Sequence, residues 1–329
     1  MLNLPFIILL VAITFDLSAY ELIHHRTKQT KILSEDLERY IPEISGLTIT
    51  KSTYESGCSL WGHNDSGHLA EVYKLSPLGK VELILELPVQ FNDIEDIDAA
   101  PCPWSSDKMR KECIWLADVG DNLHHREQVS IIVFEAPGVE QVDQGLQSPF
   151  RQKVHPQSIA TFTLSYPKGL RPNVEAFAVT PSGDGIALIE KTDQEEIKVW
   201  GASVEPILPG EIKGMSIKAY QPLIADKMSL GLRSSLDRRA HRVTGADFND
   251  RGDTLFIRTY SGIWRYRGEG VGLSLVKTLN TLEPELIHLT LDEPQGEAVA
   301  FDPDRWGIWT GSEKKGSSKA SLNFYSNVF

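Results

Sequence analysis

Residues 95–99 read EDIDA, and segments of the same build return at 45–49 (SGLTI), 175–179 (EAFAV), 244–248 (TGADF) and 297–301 (EAVAF). Each opens on a small or acidic residue and continues as a short alternating strand. A turn and a second strand ending in polar residues follow: SLWGHNDSG from Ser59, CIWLADVGDN from Cys113, IALIEKTD from Ile186, LFIRTYSG from Leu255 and GIWTGSEKK from Gly307. Third strands begin at Glu71, Val129, Glu196, Gly262 and Ser321, and a fourth is legible in the first four units, as in GKVELILELP from Gly79. The anchors Ser45, Glu95, Glu175, Thr244 and Glu297 lie 50, 80, 69 and 53 residues apart. The core unit is therefore about one propeller blade long, and the two long units carry insertions.

The fifth unit runs out of chain after its third strand. Its outer strand is expected from residues 21–34 (ELIHHRTKQTKILS), which would close the ring and remove an exposed sheet edge. An all-β propeller of five blades is the favoured fold. A six-bladed ring, with a degenerate blade in residues 138–167 or 205–241, is the alternative. A β-sandwich leaves the five recurring strand starts unexplained. Amphipathic helical periodicity is scarce, and only Ser34–Tyr40 and Ile224–Arg239 break the strand pattern, as short helices or loops at the rim.

Residues 4–15 (LPFIILLVAITF) are uncharged and apolar but shorter than the roughly 20 residues of a membrane span. They read as the hydrophobic part of a secretory signal over residues 1–19, with small residues at Ser18-Ala19 for cleavage, although a buried strand or an uncleaved anchor would share the pattern. Residues 20–329 would then form one secreted or periplasmic propeller domain with no further membrane span. In an oxidising compartment the cysteines gain meaning. Cys102 closes one apolar segment and Cys113 opens the next, so antiparallel pairing would bring them within disulfide reach and leave Cys58 free or buried. No CxxC or HxxxH spacing supports zinc, and the adjacent pair His124-His125 points its side chains apart on an extended chain.

Formal net charge is -12, which excludes a face built to neutralise phosphate and hence a nucleic-acid partner. Where does the acid go? In a propeller the innermost strands line the central channel, so Glu95, Glu175 and Glu297 would face one another. Like charges at close range raise one another's pKa or recruit a cation, and oxygen ligands favour Ca²⁺, with Mg²⁺ as the second choice. The same glutamates could instead accept backbone N–H bonds from neighbouring blades and clamp the ring. The ends of the second strands supply a further layer. Asp65, Asp118 and Asp121 would join the three glutamates as metal ligands. His63, Asn64, Asp65, Asn122, Glu190, Lys191, Arg258 and Glu313 would line a pocket for a small polar or anionic ligand. Turn chemistry alone also explains Asn-Asp-Ser-Gly and Gly-Asp-Asn.

The GHNDSG, DIEDIDAAPCP and ADVGDN motifs resemble a family of secreted, largely uncharacterised bacterial β-propeller proteins, in which HNDSG, an EDIA-like strand and a GDN turn follow in this order. EAFAV and GEAVAF are similar to segments of the phytase-like esterase propellers. The resemblance covers residues 44–315 and implies a propeller in the periplasm or outside the cell. Thr244 and Ser45 depart from it, standing where other blades carry Glu. No GxSxG, Walker lysine loop, GxGxxG or HExxH is present. Two functions follow as expectations. One is a monomeric, non-catalytic binding or scaffold propeller that holds a cation and presents its funnel to a ligand or a protein. The other is a cation-dependent hydrolase of phosphoesters, esters or lactones.

Overall fold

The computed structural model describes residues 27–51, 58–104, 111–137, 149–194, 196–224, 242–290 and 292–328. The signal expected at 1–19 and most of the 224–239 stretch lie outside these residues, as does the Cys58 side chain. Five antiparallel sheets follow one another around a ring. Blade 1 runs Ile44–Lys51, Cys58–Asn64, Glu71–Leu75 and Val81–Glu86 from the centre outward. Blade 2 runs Ile94–Pro101, Glu112–Asp118, Val129–Glu135 and Ile159–Ser165, and blade 3 Val174–Val179, Gly185–Glu190, Val199–Ser203 and Lys218–Ala219. Blade 4 is Val243–Phe248, Thr254–Thr259, Gly262–Arg267 and Glu285–Leu289. Blade 5 takes Gly296–Asp302, Gly307–Ser312 and Ser321–Ser326 from one end of the chain and Lys28–Ile32 from the other. That last strand pairs antiparallel with Ser321–Ser326, so the ring closes as expected from the missing outer strand.

Among the described residues the insertions form no sixth blade. Phe150–Lys153 adds a parallel fifth strand to blade 1, and Ile212–Ser216 does the same for blade 2. Glu196–Ile197, read in sequence as the start of a third strand, pairs instead with Leu223–Ile224, and the third strand of blade 3 begins at Val199. Glu35–Tyr40 is a short helix capped by Ser34, whose Oγ accepts the Leu37 N–H at 3.1 Å. No helix among the described residues is long and apolar enough to cross a membrane.

The core is split by the blades. Each of five apolar clusters fills one blade interface, and every blade contributes one buried tryptophan: Trp61, Trp115, Trp200, Trp264 and Trp309. The blade interfaces are therefore mainly apolar, and the acids of the innermost strands collect along the channel. Cys102 and Cys113 form a disulfide at the far end of blade 2's innermost hairpin. Both sulfurs are buried beside Ala100, a position compatible with an oxidising compartment.

Candidate functional site

All five innermost strands carry the same irregularity. Their register with the second strand slips at Ser45, Glu95, Glu175, Thr244 and Glu297, the five sequence anchors. A bulge leaves its extra residue outside the ladder and re-aims its side chain, here into one mouth of the channel. A second ring sits beside the first. Asp65, Gly120, Lys191, Tyr260 and Glu313 each donate the backbone N–H to the carbonyl of the residue two before the anchor, at 2.8, 3.0, 2.9, 3.3 and 2.9 Å. The mouth is thus framed by two fivefold sets of equivalent positions.

The chemistry of the two rings is unequal. Ser45 and Thr244 clamp: their hydroxyls donate to the Glu95 and Gly296 carbonyls, both at 2.9 Å, each in the following blade. The three glutamates do not. Glu175 accepts from Asn173 Nδ2 at 3.0 Å and pairs with Lys191 Nζ at 2.9 Å. Glu95 is buried, and burial followed by the neighbouring Glu175 pushes its carboxyl well above the usual range. Burial likewise raises Glu297 to about 7, against the opposing pull of Lys191. Glu313 goes to about 9 through burial and then the charges of Glu297 and Asp65, and Asp65 goes to about 6 mainly through burial. Burial would lower Lys191, yet Glu175 and Glu297 hold it above the ordinary lysine range. Its ammonium also lies 5.3 Å from the Tyr260 ring centroid.

One part of the mouth concentrates acid. Asp65, Asp93 and Glu95 each bring a carboxylate oxygen to within 4.8 Å of the others. Gly120 makes the room, because a β-carbon there would fall 2.0 Å from Glu95 Oε1 and 2.5 Å from Asp93 Oδ2. The glycine of the GDN turn is therefore the missing side chain of the second ring, and the carboxylates of Asp93 and Glu95 occupy its space. Asp65 and Asp93 are only half-buried, so the cluster has an open side. Three carboxylates with no thiol or imidazole in the set suit a hard cation such as Ca²⁺ or Mg²⁺.

Of the residues singled out in sequence, the mouth gathers Asp65, Glu95, Glu175, Glu297, Lys191 and Glu313. The others are placed differently. Asp118 accepts the N–H groups of Asn92 (3.2 Å) and Asp93 (3.0 Å) and pairs with Arg126 at 2.9 Å. Asp121 accepts from the N–H groups of His125 and Arg126, both at 2.9 Å, so both aspartates are taken up in shaping the 118–126 loop. Asn64 bonds the Glu43 N–H and the Tyr40 carbonyl, and Asn122 accepts from Asn173 Nδ2 at 3.1 Å. His63 is buried with Nδ1 on the Asn64 carbonyl at 2.8 Å, and burial lowers its pKa to about 4. Glu190 lies 3.7 Å from Lys198. Arg258 is fully buried between blades 4 and 5, paired with Glu293 at 3.1 Å, and reaches past Gly296, where a β-carbon would sit 1.5 Å from its Nη2. These residues lie one or two positions from the second ring, where the second strands end and the chain turns, so spacing alone does not say which side chain reaches the mouth.

Sequence reasoning missed Asp93, Tyr260 and the channel aspartates Asp96, Asp98 and Asp247. Asp96 Oδ2 accepts the Phe177 N–H of blade 3 at 2.9 Å and the Ala246 N–H of blade 4 at 3.2 Å, while Oδ1 takes Ile97 N–H at 2.9 Å. Asp98 takes the Val179 and Ala99 N–H groups, both at 2.6 Å, and Asp247 takes Phe301 N–H of blade 5 at 2.6 Å. The signal was an aspartate at alternate positions of EDIDA, a strand otherwise built for burial.

No protein-family model matches the chain, and no curated protein matches it significantly. Among solved structures it is similar to the WD40 repeats of RRP9, with 11% identity over 86% of this chain and 67% of that one, at a TM-score of 0.36. It is similar to U3-55K at 9% identity over 86% of this chain and 67% of that one, with a TM-score of 0.34. A gluconolactonase from Xanthomonas campestris gives 10% identity over 82% of this chain and 68% of that one, with a TM-score of 0.37.

Proposed function

We propose that this chain is a secreted propeller, of the bacterial family its HNDSG and GDN motifs resemble, whose acidic mouth binds a divalent cation and with it a small polar ligand, in a binding or scaffold role. The observation that supports it is the meeting of Asp65, Asp93 and Glu95 within 4.8 Å beside a glycine that makes room for them. Calcium suits the set better than magnesium, because it accepts irregular geometry and more ligands at longer range. Lys191 and Tyr260, which bond Glu175 and Glu297 inside the mouth, would offer a cation and a hydroxyl to the ligand's oxygens. Hydrolysis of an ester or phosphoester is the second reading. It is favoured by the open side of the cluster, where a cation would polarise substrate oxygen while Lys191 and Tyr260 orient it.

A cation that binds only the folded state at one hundred times its Kd adds about 2.7 kcal/mol of stability. Calcium added to chelator-stripped protein should therefore raise Tm by roughly 5 °C, and Asp93→Asn should remove most of that rise. Calorimetry showing no binding heat, with Tm indifferent to calcium, magnesium and chelator, would sink both readings. With calcium bound, turnover on an ester and phosphoester panel that Glu95→Gln abolishes would decide for the enzyme.

A further inference from the structure

The mouth is framed by loops that carry leucine outward. Leu69 is 74% exposed, Leu123 79% and Leu170 45%. The loops holding them are joined into one arc over blades 1 to 3. Ser66 hydrogen-bonds the Asp93 side chain, Gly120 N–H donates to the Asp93 carbonyl at 3.0 Å, and His124 Nδ1 meets the Arg171 carbonyl at 2.7 Å. His124 takes a left-handed backbone conformation, φ 54°, which a non-glycine residue adopts at a cost, in the turn that presents Leu123. A solitary exposed leucine means nothing, but three on one arc around a charged opening form a patch.

The groups beside that patch are predominantly acidic. Most basic groups of the arc are already engaged: Arg126 donates to the Gly120 carbonyl at 2.7 Å, Arg171 pairs with Glu127 at 3.0 Å and His68 with Glu43 at 2.8 Å, and Lys168, exposed beside Leu170, is outnumbered by the acids of the mouth. Inside the mouth Lys191 pairs with Glu175, and the remaining acids, Asp65, Asp93, Glu95, Glu297 and Glu313, crowd one another enough to hold part of their number protonated, so an incoming cationic side chain would be met by carboxylates and would draw protons off the rest. An anionic membrane surface would be repelled. We infer that this face docks a protein segment that sets a lysine or arginine into the acidic mouth while its own apolar side chains cover Leu69, Leu123 and Leu170. Apolar anchors around a charge-complementary centre are the usual anatomy of a specific interface. The inference goes beyond the cation reading, since it needs the leucines and the net charge but no bound metal.

The test uses the full mature chain and a fluorescein-labelled heptapeptide of alternating leucine and arginine, followed by anisotropy at low and high salt. Saturable binding is expected, weakened at least tenfold by L69S/L123S/L170S and by exchanging either the arginines for glutamate or the leucines for serine, and severalfold by 0.5 M salt. The triple variant should keep the wild-type calcium shift in Tm, which separates loss of the rim from loss of the cation site or of the fold. Equal affinity in the triple variant, or no saturable binding, would overturn the inference. So would leucine-dependent sedimentation with phosphatidylcholine vesicles, which would make the rim a lipid contact. A wild-type dimer in sedimentation velocity that the triple variant lacks would equally overturn it, the occupant then being a second copy.

Discussion

Two levels of one channel hold carboxylates of the same kind in opposite circumstances. Deeper in, Asp96, Asp98 and Asp247 lie close enough to raise one another, yet each accepts a backbone N–H from another blade, and the acids serve as mortar. At the mouth, Glu95, Asp93 and Asp65 meet other carboxylates. The difference is one residue of sequence. Glu95 is the bulge and leaves the ladder, while Asp96 stays in it and finds the N–H groups of blades 3 and 4. Buried acid is therefore no sign of function by itself. What marks a site is acid gathered from several loops, with no backbone donor from another blade claiming it.

The sharpest way to break this comparison is to remove one acid from each level. Asp96→Ala removes the shared acceptor of the Phe177, Ala246 and Ile97 N–H groups at a buried position. At about 1–3 kcal/mol for each unsatisfied buried group, it should cost on the order of 5 kcal/mol in urea unfolding or prevent folding outright. Glu95→Gln, one position away, should leave the metal-free protein equally stable or better, since it removes a like charge beside Glu175. Similar losses for both variants would erase the distinction between mortar and site.

That contrast also explains what could be read from sequence. The repeat gave away the blade count and the closing strand because each anchor is a bulge with a small or acidic side chain, a local requirement that composition records. The disulfide was legible because hairpin partners are near neighbours in the chain. The second ring was not. Nothing in LFIRTYSG says that Arg258 turns into the interface with Glu293 while Tyr260 faces the mouth, because the strand ends at Thr259 and its alternation no longer governs Tyr260. Nor could EDIDA reveal which acid would meet donors, because those donors belong to strands more than 80 residues away and are set only when the ring closes.

A smaller effect should appear with pH. Burial raises Asp98 to about 7 and, at the mouth, Asp65 to about 6 and Glu297 to about 7, all above their unfolded values. The folded state therefore binds more protons than the unfolded one, and stability is greatest below about pH 4 for these groups and is lost as pH rises through 6 and 7. Stripped protein should melt several degrees lower at pH 8 than at pH 5. Calcium should recover the share of the mouth and leave the share of Asp98, which Asp98→Asn should remove. A Tm that rises from pH 5 to 8 in chelator would contradict the buried acids at both levels.

The smallest effect on stability, and the most selective on binding, belongs to Gly120→Ala. The nearest atoms its added methyl would meet belong to the carboxyl groups of Glu95 and Asp93, at 2.0 and 2.5 Å, and these groups can swing aside while the backbone of the turn holds its 3.0 Å bond to the Asp93 carbonyl. Melting of the stripped variant should then stay within about 1 kcal/mol of wild type, the range of a change that a flexible side chain absorbs. The ligand oxygens, however, lose their mutual geometry, and calcium affinity should fall at least tenfold by calorimetry. Gly296→Ala is the matched control, because there the methyl meets the Arg258 guanidinium, held in a fully buried pair with Glu293. It should lower stability far more than Gly120→Ala. If Gly120→Ala instead binds calcium as well as wild type, the open space beside Glu95 has no part in holding a cation, and Asp65, Asp93 and Glu95 are a crowded surface and nothing more.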